Sequence, residues 1–185
     1  MDIYRLIKKE GICVMVFAFV MLIAGMEKAC AQEATTTINL VLADVVSIDP
    51  ESAAKGGTVD FNYENVNDYN SEKTASIPNS LIITFSRPFS LKVRANGESF
   101  ENGFHVIPVD VLTVKCNESS EITGTTAPIT LSTKDQVLIN GEGSGSKLKL
   151  HLDYTIPKAR SASADILGKP AGKYTQKVTY TATAL

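Results

Sequence analysis

Tryptophan is absent from this 185-residue chain, and all four methionines and two of the three cysteines, Cys13 and Cys30, fall within the first 31 positions. Beyond them Cys116 stands alone, which excludes an intramolecular disulfide and leaves packing to hold the fold. Only two histidines, His105 and His151, follow. No stretch after the first 31 residues has the spacing of an amphipathic helix of ten or more residues, so helical bundles and alternating α/β folds are excluded. There is no Gly-x-Ser-x-Gly elbow, no repeat of fixed period and no linker that would divide two domains. What remains for a core is Val, Ile, Leu, Phe and Tyr, a set that suits strands.

The first residues read as an export leader. Arg5, Lys8 and Lys9 form a basic start, residues 12–25 are almost unbroken apolar sequence, and Ala29-Cys30-Ala31 fits a small-x-small cleavage site with Gln32 next. An apolar run of that length is shorter than the roughly 20 residues a membrane-spanning helix needs. The expected organisation is a signal-peptide helix over residues 1–31 and one domain over 32–185, destined for the periplasm, the cell surface or the medium. Cys30 also admits a lipoprotein reading, although Glu27, Lys28 and Ala29 lack the apolar residue usual three positions before such a cysteine. Cleavage leaves 154 residues with 14 basic and 17 acidic side chains, a net charge of −3 that gives no footing for nucleic acid or an anionic membrane.

The strand signal is strongest near the C-terminus. Leu148, Leu150, Leu152, Tyr154 and Ile156 fall on one face, with Lys147, Lys149, His151, Asp153 and Thr155 opposite. A period of two is the mark of a half-buried strand. The tail from Gly172 repeats it, with Tyr174, Val178, Tyr180, Ala182 and Ala184 in phase. At the other end residues 35–48 predict a long first strand, or two broken near Asp44, with Ile38, Leu40, Leu42, Val46 and Ile48 sharing a face and Val41 and Val45 on the other, a pattern that leaves open apolar cover on both faces. Between lie Val59, Phe61 and Tyr63 as inward residues of a strand, a polar stretch over 64–79 that is either an exposed loop or holds a short edge strand, then strands over 81–85 and 89–95. The Asn96-Gly97 pair carries a hairpin signal and Asn102-Gly103 a second turn. Residues 106–114 predict one strand with Pro108 at an edge or bulge, 129–131 and 136–139 are shorter candidates, and 159–169 holds room for one helical turn. Eight to ten strands in about 150 residues predict an all-β sandwich.

Few side chains here carry chemistry. His151 lies on the wet face of its strand and His105 beside a turn. Cys116 reads as a small buried hydrophobe rather than a reactive thiol. The oxygen-rich loop of Glu64, Asn65, Asn67, Asp68 and Asn70 lacks the glycine and terminal glutamate of a hand-type calcium site, and a solvated loop is the better reading. The glycines of 140–146 read as a hairpin turn, not a phosphate cradle. Asn117-Glu118-Ser119 has the form of a glycosylation acceptor. Tyr69 and Phe100 are the aromatic residues in loops that a glycan platform would use, while the other tyrosines alternate inward. No catalytic, cofactor or metal residue is assigned.

The start Ala34-Thr35-Thr36-Thr37-Ile38-Asn39-Leu40 and the end Pro170-Ala171-Gly172-Lys173-Tyr174-Thr175-Gln176-Lys177-Val178-Thr179-Tyr180 resemble the spore coat U-like and pilin-like secreted bacterial β-sandwich proteins. In that group a glycine begins the last strand and an aromatic sits near its end, as Gly172 and Tyr180 do. The resemblance implies an immunoglobulin-like fold and a structural role in surface fibres or coats, some members adding an N-terminal strand to the next subunit. This chain departs from the pattern in having no cysteine pair and in ending Ala184-Leu185. Residues 35–48 either pair within their own domain, the plainer reading, or add to the open edge of a neighbouring copy, and self-association through them or contact with other envelope proteins is the partnership the second reading gives. An envelope glycan- or ligand-binding module is the alternative.

Overall fold

The computed structural model describes residues 35–185, and the expected leader and cleavage site lie outside them. The chain divides into two units, Met1–Val41 and Leu42–Leu185. In the first, residues 35–41 lie outside any strand or helix. The second is an all-β sandwich built from eleven strands.

Five strands form one sheet. These are β1 (Val46–Ile48), β2 (Lys73–Phe85), β6 (Thr113–Cys116), β8 (Ile129–Thr130) and β10 (Gly145–Ile156), ordered β1-β2-β10-β6-β8. The second sheet, ordered β11-β3-β9-β7, holds β3 (Phe89–Ala95), β7 (Gly124–Thr126), β9 (Gln136–Gly141) and β11 (Val178–Ala184). A separate hairpin pairs β4 (Ser99–Asn102) with β5 (His105–Pro108), turning at Gly103 with φ +60°. Every ladder is antiparallel. Two short helices, α1 (Val66–Tyr69) and α2 (Lys158–Ser161), complete the domain with a 3-10 turn at Val109–Val111.

The core is the set of alternate side chains the period of two points to. Leu81, Ile83 and Phe85 of β2 and Leu150, Leu152, Tyr154 and Ile156 of β10 meet Phe89, Leu91, Val93 and Ala95 of β3 in one buried cluster. The sheets are also tied by a hydroxyl pair, Tyr154 to Tyr180, at 2.7 Å. Burial pushes both phenols above their ordinary pKa, Tyr180 the further.

Several elements differ from the sequence expectation, each for a local reason. The first strand contracts from residues 35–48 to Val46–Ile48, with Val45 joined through its N–H to Ser86 Oγ. β2 begins at Lys73 rather than 81 and runs through Pro78. The proline is accommodated because the register with β10 slips between Leu81 and Ile77, where Asn79 adopts φ +52°. The expected strand over 106–114 is broken: Pro108 ends β5, the 3-10 turn follows and β6 joins the other sheet. Asn96-Gly97 closes no hairpin, since β3 pairs with β11 and β9 while β4 leaves for its own hairpin. The glycine turn at 140–146 likewise crosses from one sheet to the other instead of closing a hairpin. Gly141 is required there, because a Cβ would stand 2.2 Å from the Phe89 ring. The last strand begins at Val178, preceded by a single bridge between Glu101 and Thr175.

Candidate functional site

The densest polar cluster lies on the outer face of β10. Asp153 has the wet-face phase of its strand yet is 6% exposed. Asn117, in the turn after β6, donates its amide to both carboxylate oxygens at 3.0 and 3.1 Å, and Lys115 Nζ stands 3.6 Å away. Burial opposes the charge of Asp153, but the Asn117 amide, the Ser76 hydroxyl and the Lys115 ammonium outweigh it and hold the carboxyl below its ordinary pKa. The same turn is fastened by Ser119, whose N–H and hydroxyl donate to Asn117 Oδ1, and by Ser120, whose hydroxyl accepts from His151 N at 3.1 Å. A half-open cleft of about 340 Å³ borders the cluster, lined by Lys115, Asn117, Glu118, Thr126, Pro128 and Asp153. The cluster pins the turn to β10, and each of its polar groups already has a partner.

The residues singled out in the sequence are not brought together. His151 sits at the β2 bulge, where its Nδ1 accepts the Asn79 N–H at 2.8 Å. His105 is exposed at the start of β5. Cys116 is half-buried with its Sγ 3.9 Å from the Leu138 carbonyl, and burial pushes the thiol up to about 12. At that pKa the thiolate that does nucleophilic and metal chemistry is scarce at neutral pH.

The oxygen-rich loop is a helix cap. Asn65 Oδ1 accepts from the N–H groups of Asn67 and Asp68, and Asp68 Oδ2 accepts from those of Glu64 and Asn65. This reciprocal arrangement is a capping box, and Asp68 also pairs with Lys73. The ammonium of Lys73, then the two N–H groups, lower the Asp68 pKa to about 2. Among the described residues no group of three or more His, Cys, Asp or Glu side chains is placed to hold a metal ion.

Tyr69 and Phe100, expected in open loops, are both half-buried against the core. Tyr69 stacks on Tyr63 at 5.0 Å between ring centroids. The open aromatic is instead Phe104, fully exposed at the tip of the β4–β5 hairpin. No periodic pattern surrounds Phe104, so only its place next to Gly103 pointed to a turn tip.

Two apolar stretches lie outside the ladders. Residues 35–44 lie outside every strand, and Ile38, Leu40 and Leu42 at alternate positions are 85, 82 and 83% exposed. Residues 57–63 also lack strand assignment, although Val59, Phe61 and Tyr63 pack against the core. Among the described residues, no backbone hydrogen bond reaches residues 57–63. Among the same residues no helix is long and apolar enough to cross a membrane. Compared with protein-family models and with curated proteins, the chain matches none of either.

Proposed function

We propose that the chain is an exported, non-catalytic structural subunit of a surface assembly, and that residues 35–44 join one copy to the next. The observation that carries this reading is the exposure of Ile38, Leu40 and Leu42 at alternate positions, with Val41 between them, each more than four-fifths exposed in a stretch outside any ladder. Burying a large aliphatic side chain is worth about 1.5–3 kcal/mol, so three on one face drive such a stretch onto a sheet edge. The side chains with reactive potential are otherwise engaged: His151 in a bulge, Asp68 in a cap, Cys116 as a raised-pKa thiol.

Removal of residues 35–44 is expected to leave a folded domain that no longer assembles, since β1 begins at Val46. Sedimentation and negative-stain microscopy of the whole and shortened chains read this directly. A whole chain that stays strictly monomeric at high concentration overturns the proposal. Saturable sugar binding by such a monomer on a glycan array would favour the envelope-binding alternative.

A further inference from the structure

We infer that the outer edge of β11 is an interaction surface for a second copy of the chain, the two β11 strands pairing antiparallel about a two-fold axis at Thr181. The contact is independent of residues 35–44 and, being symmetric, closes on itself as a pair.

Among the described residues β11 is the long strand at a sheet margin. The other margins of the two sheets are β1, β7 and β8, of three, three and two residues, whereas β11 has seven and keeps an unbroken register with β3. The bonds at its two ends fix which way its backbone groups point. Leu185 N–H donates to the Pro88 carbonyl and Asn96 N–H to the Lys177 carbonyl, so the odd-numbered residues are the ones bonded to β3. The N–H and C=O groups of Val178, Tyr180, Ala182 and Ala184 therefore point away from the sheet, and among the described residues no backbone group bonds to them. Edges of this length ordinarily carry a charge, a proline or a bulge that blocks pairing. Residues 178–184 carry none of the three.

The strand is its own complement. Turned about a two-fold axis at Thr181, all seven residues pair: Val178 meets Ala184 of the second copy, Thr179 meets Thr183, Tyr180 meets Ala182, and Thr181 meets Thr181. The outward backbone groups of the even-numbered residues then face one another as bonded pairs. The threonines face one another in the closer, unbonded pairs, where Thr–Thr contacts stabilise a ladder. Thr181 and Thr183 are exposed, and a four-stranded sheet in each copy becomes one continuous sheet across the axis. Charge selects this arrangement over a parallel one. Lys177 immediately precedes the strand. A parallel pairing in register sets two Lys177 ammonium groups side by side, whereas the two-fold axis places them at opposite ends of the ladder.

The experiment uses protein purified from cells expressing the whole chain, in a Cys116→Ala background. On air oxidation Thr181→Cys is expected to form a disulfide between the 181 positions of two copies, located by peptide mapping, because unbonded antiparallel pairs bring Cβ atoms within about 5.5 Å. Thr179→Cys and Thr183→Cys are each expected to stay reduced alone and to link when mixed. Sedimentation reads a charge test: Thr181→Lys, which sets like charges together on the axis, is expected to weaken pairing about tenfold or more, and mixing it with Thr181→Glu to restore pairing. Restoration separates a lost contact from a lost fold. A disulfide formed by Thr179→Cys alone overturns the two-fold register. A chain that assembles while Thr181→Cys stays reduced overturns the β11 edge and leaves the reading for residues 35–44 standing, and a chain that remains monomeric at high concentration overturns both.

Discussion

The β2–β10 pair and residues 57–63 carry the same sequence signal and meet different ends. In both, apolar residues recur at every second position and those residues face the core. Yet β10 is bonded on both sides, to β2 and to β6, whereas the segment at 57–63 packs its side chains on the core and has no backbone hydrogen bond among the described residues. Alternation therefore specifies which face is buried, through the hydrophobic effect, and is silent on whether the backbone finds a neighbour. Pairing depends on residues far away in the chain, such as Lys115 and Ser76 beside Asp153 on either side of β10.

The sharpest way to break this contrast is to remove side chains from each region. Leu152 on β10 is fully buried, and Leu152→Ala is expected to cost about 2–5 kcal/mol by lost burial plus the cavity left behind. Phe61 is half-buried, and Phe61→Ala should cost about 1.5–2.5 kcal/mol, roughly half the figure for a fully buried phenylalanine. Urea denaturation of the two variants measures both. Equal losses would mean that 57–63 is as integral to the domain as the sheets are, and the contrast would dissolve.

A smaller effect isolates the bond between the sheets. Tyr180→Phe removes one partner of the Tyr154–Tyr180 hydroxyl pair and keeps the ring, with an expected loss of about 0.5–1.5 kcal/mol. Its pH dependence has a definite sign. Burial raises both phenol pKa values above the ordinary 10.0, so the folded state holds these protons more tightly than the unfolded chain does. The contribution is complete below pH 10.0 and is lost as pH climbs through the folded values. Alkaline unfolding of the wild type should thus steepen above that pH, and Tyr180→Phe should blunt it; identical alkaline profiles would remove the inter-sheet bond from the account.

How much of this was legible depends on range. The faces of β10 and β11 follow from local alternation: Leu150, Leu152, Tyr154 and Ile156 are buried, and Tyr180 and Ala182 pack inward. The Lys73–Ile77 half of β2 was hidden because Thr74 and Ser76 dilute its apolar residues and Pro78 reads as a terminator, which only a bulge opposite β10 overcomes. Asp153 could not be found from its own strand. Its phase says wet face, and it is buried because Asn117, 36 residues earlier, folds over it. Asn96-Gly97 carries the local chemistry of a hairpin but lies where the chain leaves one sheet for a separate hairpin, a choice made by the longer β3–β11 ladder. The reach of 35–48 as one strand failed as 57–63 did: alternation fixes a face, and among the described residues neither 35–44 nor 57–63 has a ladder partner.

The smallest test asks whether residues 57–63 loosen before the sheets do. The anchor at their C-terminal end includes α1, where Asp68 accepts from Glu64, Asn65 and Lys73. Those donors lower the folded pKa to about 2 from an ordinary 3.8, the Lys73 ammonium contributing most. A depressed carboxyl stabilises the folded state above its unfolded pKa and ceases to do so as pH falls through the folded one. Between roughly pH 4 and pH 2 the cap should therefore weaken. Amide exchange of Glu64 and Asn65, measured relative to intrinsic rates at each pH, is expected to lose protection in that window while the amides of β10 keep theirs. If both regions lose protection together, the anchor is not a separate unit, and the segment from 57 to 63 belongs energetically to the sandwich it leans on.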